Sequence, residues 1–381
     1  MKKNIALLIF SFLMVSCAAP VTAADTFQVS GYYKTLMTTG QSFATKEGIS
    51  AATNRLRLEL KTQQDPWQFY LTVDNEAIIN DFANTADFAF IRSRAQNKNA
   101  ALDMDVVSVD NDHLYLKHSV YRAFVKYYTP EFQAVVGKQL VDWGRLRFYS
   151  PVDIFNSVAA LNLEPDERIG IDAININFSP EDFIGINIIA APDTSDENAS
   201  GGIRLYKTVS TYDLSLIAAS VYKNQVYGFS FDGYLKNAGF RGEITHNLQD
   251  NKREFTRAAL GVDYRFNKKW YALAEHFYNG GHEDNDPEAM ATSYKLSRQI
   301  VSLNSQLSSF WVQYTLSPLI EINQYAIYDW DGPSVILNPE IQYDLNKHTD
   351  LRFGSQLYFG KGNSEFGDNE HLYYGECVLF F

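Results

Sequence analysis

The sequence predicts an all-β chain closed into a transmembrane antiparallel barrel of about eighteen strands, sixteen being the alternative. Three observations predict it. Short segments of alternating apolar and polar residues recur along the chain, while long helical periods are missing. The connections between these segments sort by parity, with long ones confined to every second position. The chain also opens on an export signal and closes on a strand with an aromatic end.

Residues 1–24 read as a signal peptide. Lys2 and Lys3 give the positive start, residues 5–15 the apolar run, and small residues before Asp25 suit a signal peptidase. The run is shorter than the ~20 apolar residues of a spanning helix. Ser16-Cys17 opens a rival reading, lipidation of Cys17, which Met14 fits poorly. With the signal removed, Cys377 is the only cysteine left, so no intrachain disulfide forms. Residues 25–381 then make one barrel domain.

The charge balance is 33 Lys+Arg against 45 Asp+Glu, a net −12, which argues against nucleic acid as a partner. Mean hydropathy is −0.24. A membrane barrel averages to such a value because lipid-facing apolar residues alternate with polar lumen-facing ones.

Residues 27–38 are the first strand. In the second, Leu56, Leu58 and Leu60 share one face while Arg55, Arg57, Glu59 and Lys61 share the other. Past Asp65-Pro66, the residues Trp67, Phe69, Leu71 and Val73 alternate with Gln68, Tyr70, Thr72 and Asp74. Further strands are read at 114–128, 132–139, 171–178, 183–191, 202–206, 212–222, 226–235, 240–246, 257–266 and 270–278. The last group is 306–316, 320–328, 334–343, 351–359 and 372–381. Many approach the ~9–11 residues a tilted membrane strand needs.

With the N-terminus in the periplasm, every even-to-odd connection is a short turn. Examples are Thr129-Pro130-Glu131, Ser179-Pro180-Glu181, Lys236-Asn237-Ala238 and Asn346-Lys347-His348. The long stretches 80–112, 140–170, 279–305 and 360–371 all fall on the opposite parity. Short turns inside and long loops outside are the pattern of outer-membrane barrels. In the last strand Tyr373, Gly375, Cys377, Leu379 and Phe381 share one face, and the chain ends on Phe381. An aromatic end of this kind resembles the signature that barrel-assembly machinery recognises.

Residues 135–156 begin as a strand and break into Asp142, Trp143, Arg145, Arg147, Phe148, Tyr149, Asp153 and Phe155 in close order. Such a segment is too apolar to float in water and too charged to form a core. It fits the inside of a wide barrel, rings on the wall and charges toward the lumen. Gly137-Lys138-Gln139, Trp143-Gly144-Arg145 and Pro151-Val152-Asp153-Ile154-Phe155 resemble a pattern that recurs in bacterial outer-membrane porins. The relevant families are the eighteen-stranded alginate-export and substrate-specific porins. That resemblance implies diffusion of a hydrophilic, anionic or sugar-like solute, with this third outer loop folded inward as the constriction. It implies neither cofactor nor catalytic step.

The residues assigned to the channel lining are Lys138, Asp142, Trp143, Arg145, Arg147 and Asp153 on or beside the loop. On the strands they are Arg55, Arg57, Arg122 and Lys126. Rings of positive side chains select anions. In the competing reading, Arg145 pairs with Asp142 or Asp153 and pins the loop to the wall. A structural or polysaccharide-assembly barrel without general pore activity is the alternative for the whole protein. No metal site is expected: carboxylates and carbonyls in 279–288 lack the spacing of an EF-hand, and a solvated outer loop is the plainer reading. An enzyme is not expected, because neither G-x-S-x-G nor H-E-x-x-H occurs, and Leu248 stands where a lipase strand would carry its serine. The expected partners are outer-membrane lipid, lipopolysaccharide, the assembly machinery through Phe381, and a small hydrophilic solute. The oligomeric state is left open.

Overall fold

The structure is a computed structural model. It describes residues 26–42, 45–82, 85, 88, 101–156, 162–165, 167–181, 183–192, 199–221, 224–249, 254–282, 304–362 and 364–381. The expected signal at 1–24, the acidic stretch 193–198 and most of 279–288 lie outside these residues.

The first strands are β1 (Thr26–Gln41), β2 (Gly48–Gln64), β3 (Trp67–Asn80), β4 (Asp105–Asp110), β5 (Leu114–Tyr128) and β6 (Phe132–Gln139). Next come β7 (Ile171–Glu181), β8 (Ile184–Ala191), β9 (Ser200–Val209), β10 (Tyr212–Val221), β11 (Asn224–Leu235) and β12 (Ala238–Leu248). The chain continues through β13 (Glu254–Arg265), β14 (Trp270–Asn279), β15 (Gln306–Ser317) and β16 (Ile320–Asp329). It ends with β17 (Ser334–Asn346), β18 (Thr349–Gly360) and β19 (Leu372–Phe380).

Eighteen of these close one antiparallel barrel, each strand paired with its neighbours in chain order and β19 paired back to β1. At the seam Gly31 and Phe381 exchange both backbone hydrogen bonds at 3.0 Å. The remaining strand, β4, pairs only with β5, Asp105 to Asp110 lying against Ser119 to Tyr115. The sequence reads this stretch as part of a long outer loop. It takes a strand because the edge of β5 beyond Ala123 is left open where its pairing with β6 ends.

Closure forces alternation, one face to the lumen and the next residue to the outside. Adjacent residues of β12 make the contrast plain: Ile244 is 45 % exposed and Glu243 only 3 %. Arg55 and Arg57 are buried on the inner face of β2, while Leu56 between them is exposed. Exposed aromatic residues gather toward the strand ends. Phe27, Trp67, Phe183, Phe266 and Trp270 mark the short-turn end, and Tyr227, Tyr278, Trp330 and Tyr373 the loop end. Aromatic girdles at both interfaces bound the apolar band of a membrane barrel.

The parity of the connections holds. Every turn between β2 and β3, β5 and β6, and so on to β17 and β18 has two to four residues. Ser210 and Lys236, in two of these turns, take φ of 57° and 58°, the left-handed backbone that tight hairpins use.

The apolar core lies inside the barrel. Val141, Trp143, Val152, Ile154 and Phe155 of the third outer connection pack on inward residues of β7, β8, β10 and β11, among them Ile171, Ile189, Ile217 and Val226. Leu146, Phe148 and Tyr149 pack on Leu273, Phe277, Leu307, Ile327 and Ile336 of β14 to β17. Burial of these side chains stabilises the seating of the segment by about 1.5–3 kcal/mol each where complete.

Candidate functional site

The connection between β6 and β7 crosses the lumen and meets the wall on several sides. Its first limb, residues 143–155, is held by buried carboxylates of the wall. Glu243 of β12 accepts the Arg145 backbone N–H at 2.6 Å through Oε1, and through Oε2 the Ser150 hydroxyl at 2.7 Å and the Val152 N–H at 3.3 Å. Glu275 of β14 accepts the N–H groups of Arg147 and Phe148 at 2.9 and 3.0 Å. A segment without strand neighbours leaves its amides unpaired, and carboxylate oxygens satisfy them with charge-assisted bonds.

Aromatic contacts complete this limb. Trp143 donates its indole N–H to Asn187 of β8 at 2.8 Å and meets Phe155 edge-on at 5.0 Å. Gly202 of β9 permits that approach: a Cβ there would stand 2.9 Å from the indole and 2.7 Å from the Ala219 methyl. Tyr149 stacks on Phe277 at 4.9 Å. The Arg147 guanidinium lies over the Trp311 ring at 4.5 Å, a cation–π contact.

The second limb, around residues 162–168, is held by charge. Glu164 pairs with Lys34 of β1 at 2.5 Å and with Arg55 of β2 at 2.8 Å. Glu167 pairs with Arg57 at 2.7 Å and accepts the Tyr32 hydroxyl at 2.6 Å. Arg55 and Arg57 are further compensated by Glu76 and Asp74 of β3, each at 2.6 Å. Arg352 of β18 donates to the Leu163 carbonyl at 2.9 Å. Burial pushes the Glu167 carboxyl up, but Arg55, Lys34 and Arg57 outweigh it and hold the group at about 2. Glu164 is likewise lowered, Arg55 and Lys34 overcoming its burial.

Arg168 clamps the two limbs together, reaching Asp142 at 2.6 Å and Asp153 at 2.8 Å. The sequence reading that gave these two acids to Arg145 is therefore corrected. Arg168 is placed between them by the return of the chain toward β7. Among the described residues, neither Arg145 nor Arg147 forms an ion pair.

Beneath this segment lies a cavity of about 740 Å³ that extends to the short-turn end of the strands. Of the residues assigned to the lining by sequence, Asp142, Arg145, Arg147 and Asp153 border it. The others sit elsewhere. Lys138 is 4 % exposed and donates to the Val120 carbonyl at 2.5 Å within the wall. Trp143 is buried against β8 and β9. Arg55 and Arg57 lie behind Glu164 and Glu167, and Arg122 donates to the Arg168 carbonyl at 2.5 Å. Lys126 stands 5.6 Å from the Tyr128 ring, toward the short-turn end of β5.

Sequence reasoning missed Glu164, Glu167 and Arg168, and with them Glu243 and Glu275. The signal for the last two was present: one carboxylate at an inward strand position, flanked by residues that face lipid.

No known protein family matches the chain, and no curated protein does. Among solved structures it is similar to Acinetobacter baumannii OccAB1, with TM-score 0.57 and 9 % identity over 93 % of this chain and 96 % of that one. It is also similar to the outer membrane protein OprD from Pseudomonas aeruginosa, with TM-score 0.56 and 10 % identity over 93 % of each chain. A triple mutant of the Rh. blastica porin gives TM-score 0.50 and 11 % identity over 93 % of this chain and all of that one. The fold is that of an outer-membrane porin barrel.

Proposed function

We propose that the protein is an outer-membrane channel through which a hydrophilic solute diffuses, with residues 140–170 as its constriction. The fold shared with OccAB1 and OprD supports the channel reading. The observation that carries the selectivity is the contrast in pairing beside the loop, with Asp344 and Asp350, unpaired among the described residues, bordering the same cavity farther off, at the short-turn end of the strands. Glu164, Glu167, Glu340 and Glu376 are occupied by Lys34, Arg57 and Arg352, whereas Arg145 and Arg147 border the same space without a carboxylate partner among the described residues. The preferred solute is anionic or sugar-like, the guanidinium fork binding carboxylate or hydroxyl oxygens. Residues 1–24 direct export, Phe381 engages the assembly machinery, and lipid and lipopolysaccharide cover the outside. No covalent step is involved.

The test is a planar-bilayer recording. The folded protein gives steady conductance with a reversal potential on the anion side. Replacing Arg145 and Arg147 together by Ala raises conductance and lowers anion preference. The difference shrinks at 1 M salt, where the Debye length is about 3 Å. A folded barrel without conductance overturns the channel in favour of a structural or assembly barrel. An unchanged reversal potential at low salt overturns the role of the arginines.

A further inference from the structure

We infer that Glu243 and Glu275 are positioning residues that set the pore's ion selectivity through the loop backbone, without touching the solute. The inference rests on the reading of Arg145 and Arg147 as the lumen cations. Between residues 143 and 149 the chain has no regular partner strand, so nothing in its own secondary structure decides which side chains face the lumen. The two wall carboxylates decide it. By accepting the N–H groups of Arg145, Arg147 and Phe148 at 2.6 to 3.0 Å, they turn that edge of the backbone toward β12 and β14. Leu146 and Phe148 then fall into the apolar wall cluster, 7 % and 5 % exposed. Arg145 is half-buried and Arg147 exposed, both bordering the cavity.

The carboxylates are built for this. Glu243 and Glu275 are 3 % and 5 % exposed, and among the described residues their hydrogen bonds go to the loop. A Gln of the same shape keeps one acceptor oxygen but sets an N–H₂ against a backbone N–H, which breaks half of each cradle. It also removes a negative charge from behind the arginines. The two effects have opposite signs, and that separates positioning from plain charge. If the carboxylates only add charge, Glu243→Gln and Glu275→Gln make the pore more anion-selective. If they position the arginines, anion preference falls although a negative charge has gone.

The experiment measures reversal potentials of Glu243→Gln, Glu275→Gln and the double variant in a salt gradient, in barrels shown folded by heat-modifiable gel migration. The expected result is an anion-to-cation permeability ratio lowered about two-fold or more in the double variant, with added current noise. A raised or unchanged ratio in folded barrels overturns the inference. A second measurement stands apart from the channel reading: a spin label at Arg147→Cys in a Cys377→Ser background. It is expected to be immobilised when Glu275 is intact and mobile with Glu275→Gln. Equal mobility in both overturns the inference even where the double Gln barrel fails to fold. If Arg145→Ala with Arg147→Ala leaves selectivity unchanged while the label still responds, the selectivity reading fails and the positioning role stands alone.

Discussion

Residues 143–155 meet the wall of β8 to β16 with backbone amides and aromatic rings, whereas residues 162–168 meet β1, β2 and β18 mainly with carboxylates and a carbonyl. The difference decides where charge is free. A limb held by its amides keeps its side chains for the lumen, and so Arg145 and Arg147 border the cavity. A limb held by its side chains spends them on the wall, so Glu164 and Glu167 neutralise Lys34, Arg55 and Arg57. An inventory of lumen charges drawn from the strands alone therefore misjudges the pore. Arg55 and Arg57 look like channel cations and are fastening points.

The largest effect is expected where the charged limb is broken. Glu164→Gln with Glu167→Gln leaves nearly buried cations short of counter-charge, which costs about 3 kcal/mol, given the ~3–5 kcal/mol for breaking a buried pair and the compensation still supplied by Asp74 and Glu76. Thermal unfolding in detergent, followed by gel mobility, should fall accordingly, and conductance should rise as the limb leaves the wall. An unchanged midpoint would mean that the charged contacts add nothing to seating.

A middle effect is expected in the other limb. Trp143→Phe removes the bond to Asn187 and leaves a half-buried amide oxygen one donor short, costing about 1 kcal/mol. Because Trp143 lies away from the cavity, the reversal potential should not move. A shift in selectivity with this variant would show that Trp143 helps to position Arg145 and Arg147 within its own limb.

The smallest effect is expected from mild acid. A carboxyl whose folded value lies below its ordinary 4.5 contributes stability that is fully present above 4.5 and is lost as pH falls through the folded value, about 2 for Glu167. From pH 7 to pH 5 the charged limb should therefore stay seated, and its share of stability should fade only between about pH 4 and pH 2. Release of the limb between pH 6 and 5, read as a conductance step lost in Glu167→Gln, would contradict the pairing.

Much of the barrel was legible because its strands alternate. Leu56, Leu58 and Leu60 against Arg55, Arg57 and Glu59 could be read directly, and the sorting of connections gave closure and orientation. Legibility failed where the inner face is apolar. In β10, Leu216 faces lipid and Ile217 faces the lumen segment, so alternation vanishes from the sequence. In the turn after β9, Ser210 rather than Gly or Asn holds the left-handed position, so the residue type does not mark the turn. At the site, the aromatic and charged run 142–155 announced itself by composition. Its partners did not, because Glu243 and Glu275 lie about a hundred residues on and nothing local records what they hold. The Arg168 clamp was hidden for a related reason: several cations could reach Asp142 and Asp153, and only the fold chooses one.

The reach of the lumen segment has a consequence for the order of assembly. Its contacts span the whole circuit of the sheet: Tyr32 meets Glu167 across 135 positions and Arg352 meets Leu163 across 189. Contacts so distant in sequence cannot repay their loop-closure entropy until intervening strands have paired. Nor can both limbs dock before β1, β2 and β18 stand on one continuous wall. The segment is thus a late arrival in folding, neither nucleus nor template for the hairpins around it. Its seating acts as a closure reading, a local event at Trp143 and Glu167 that registers whether the whole circumference has been completed.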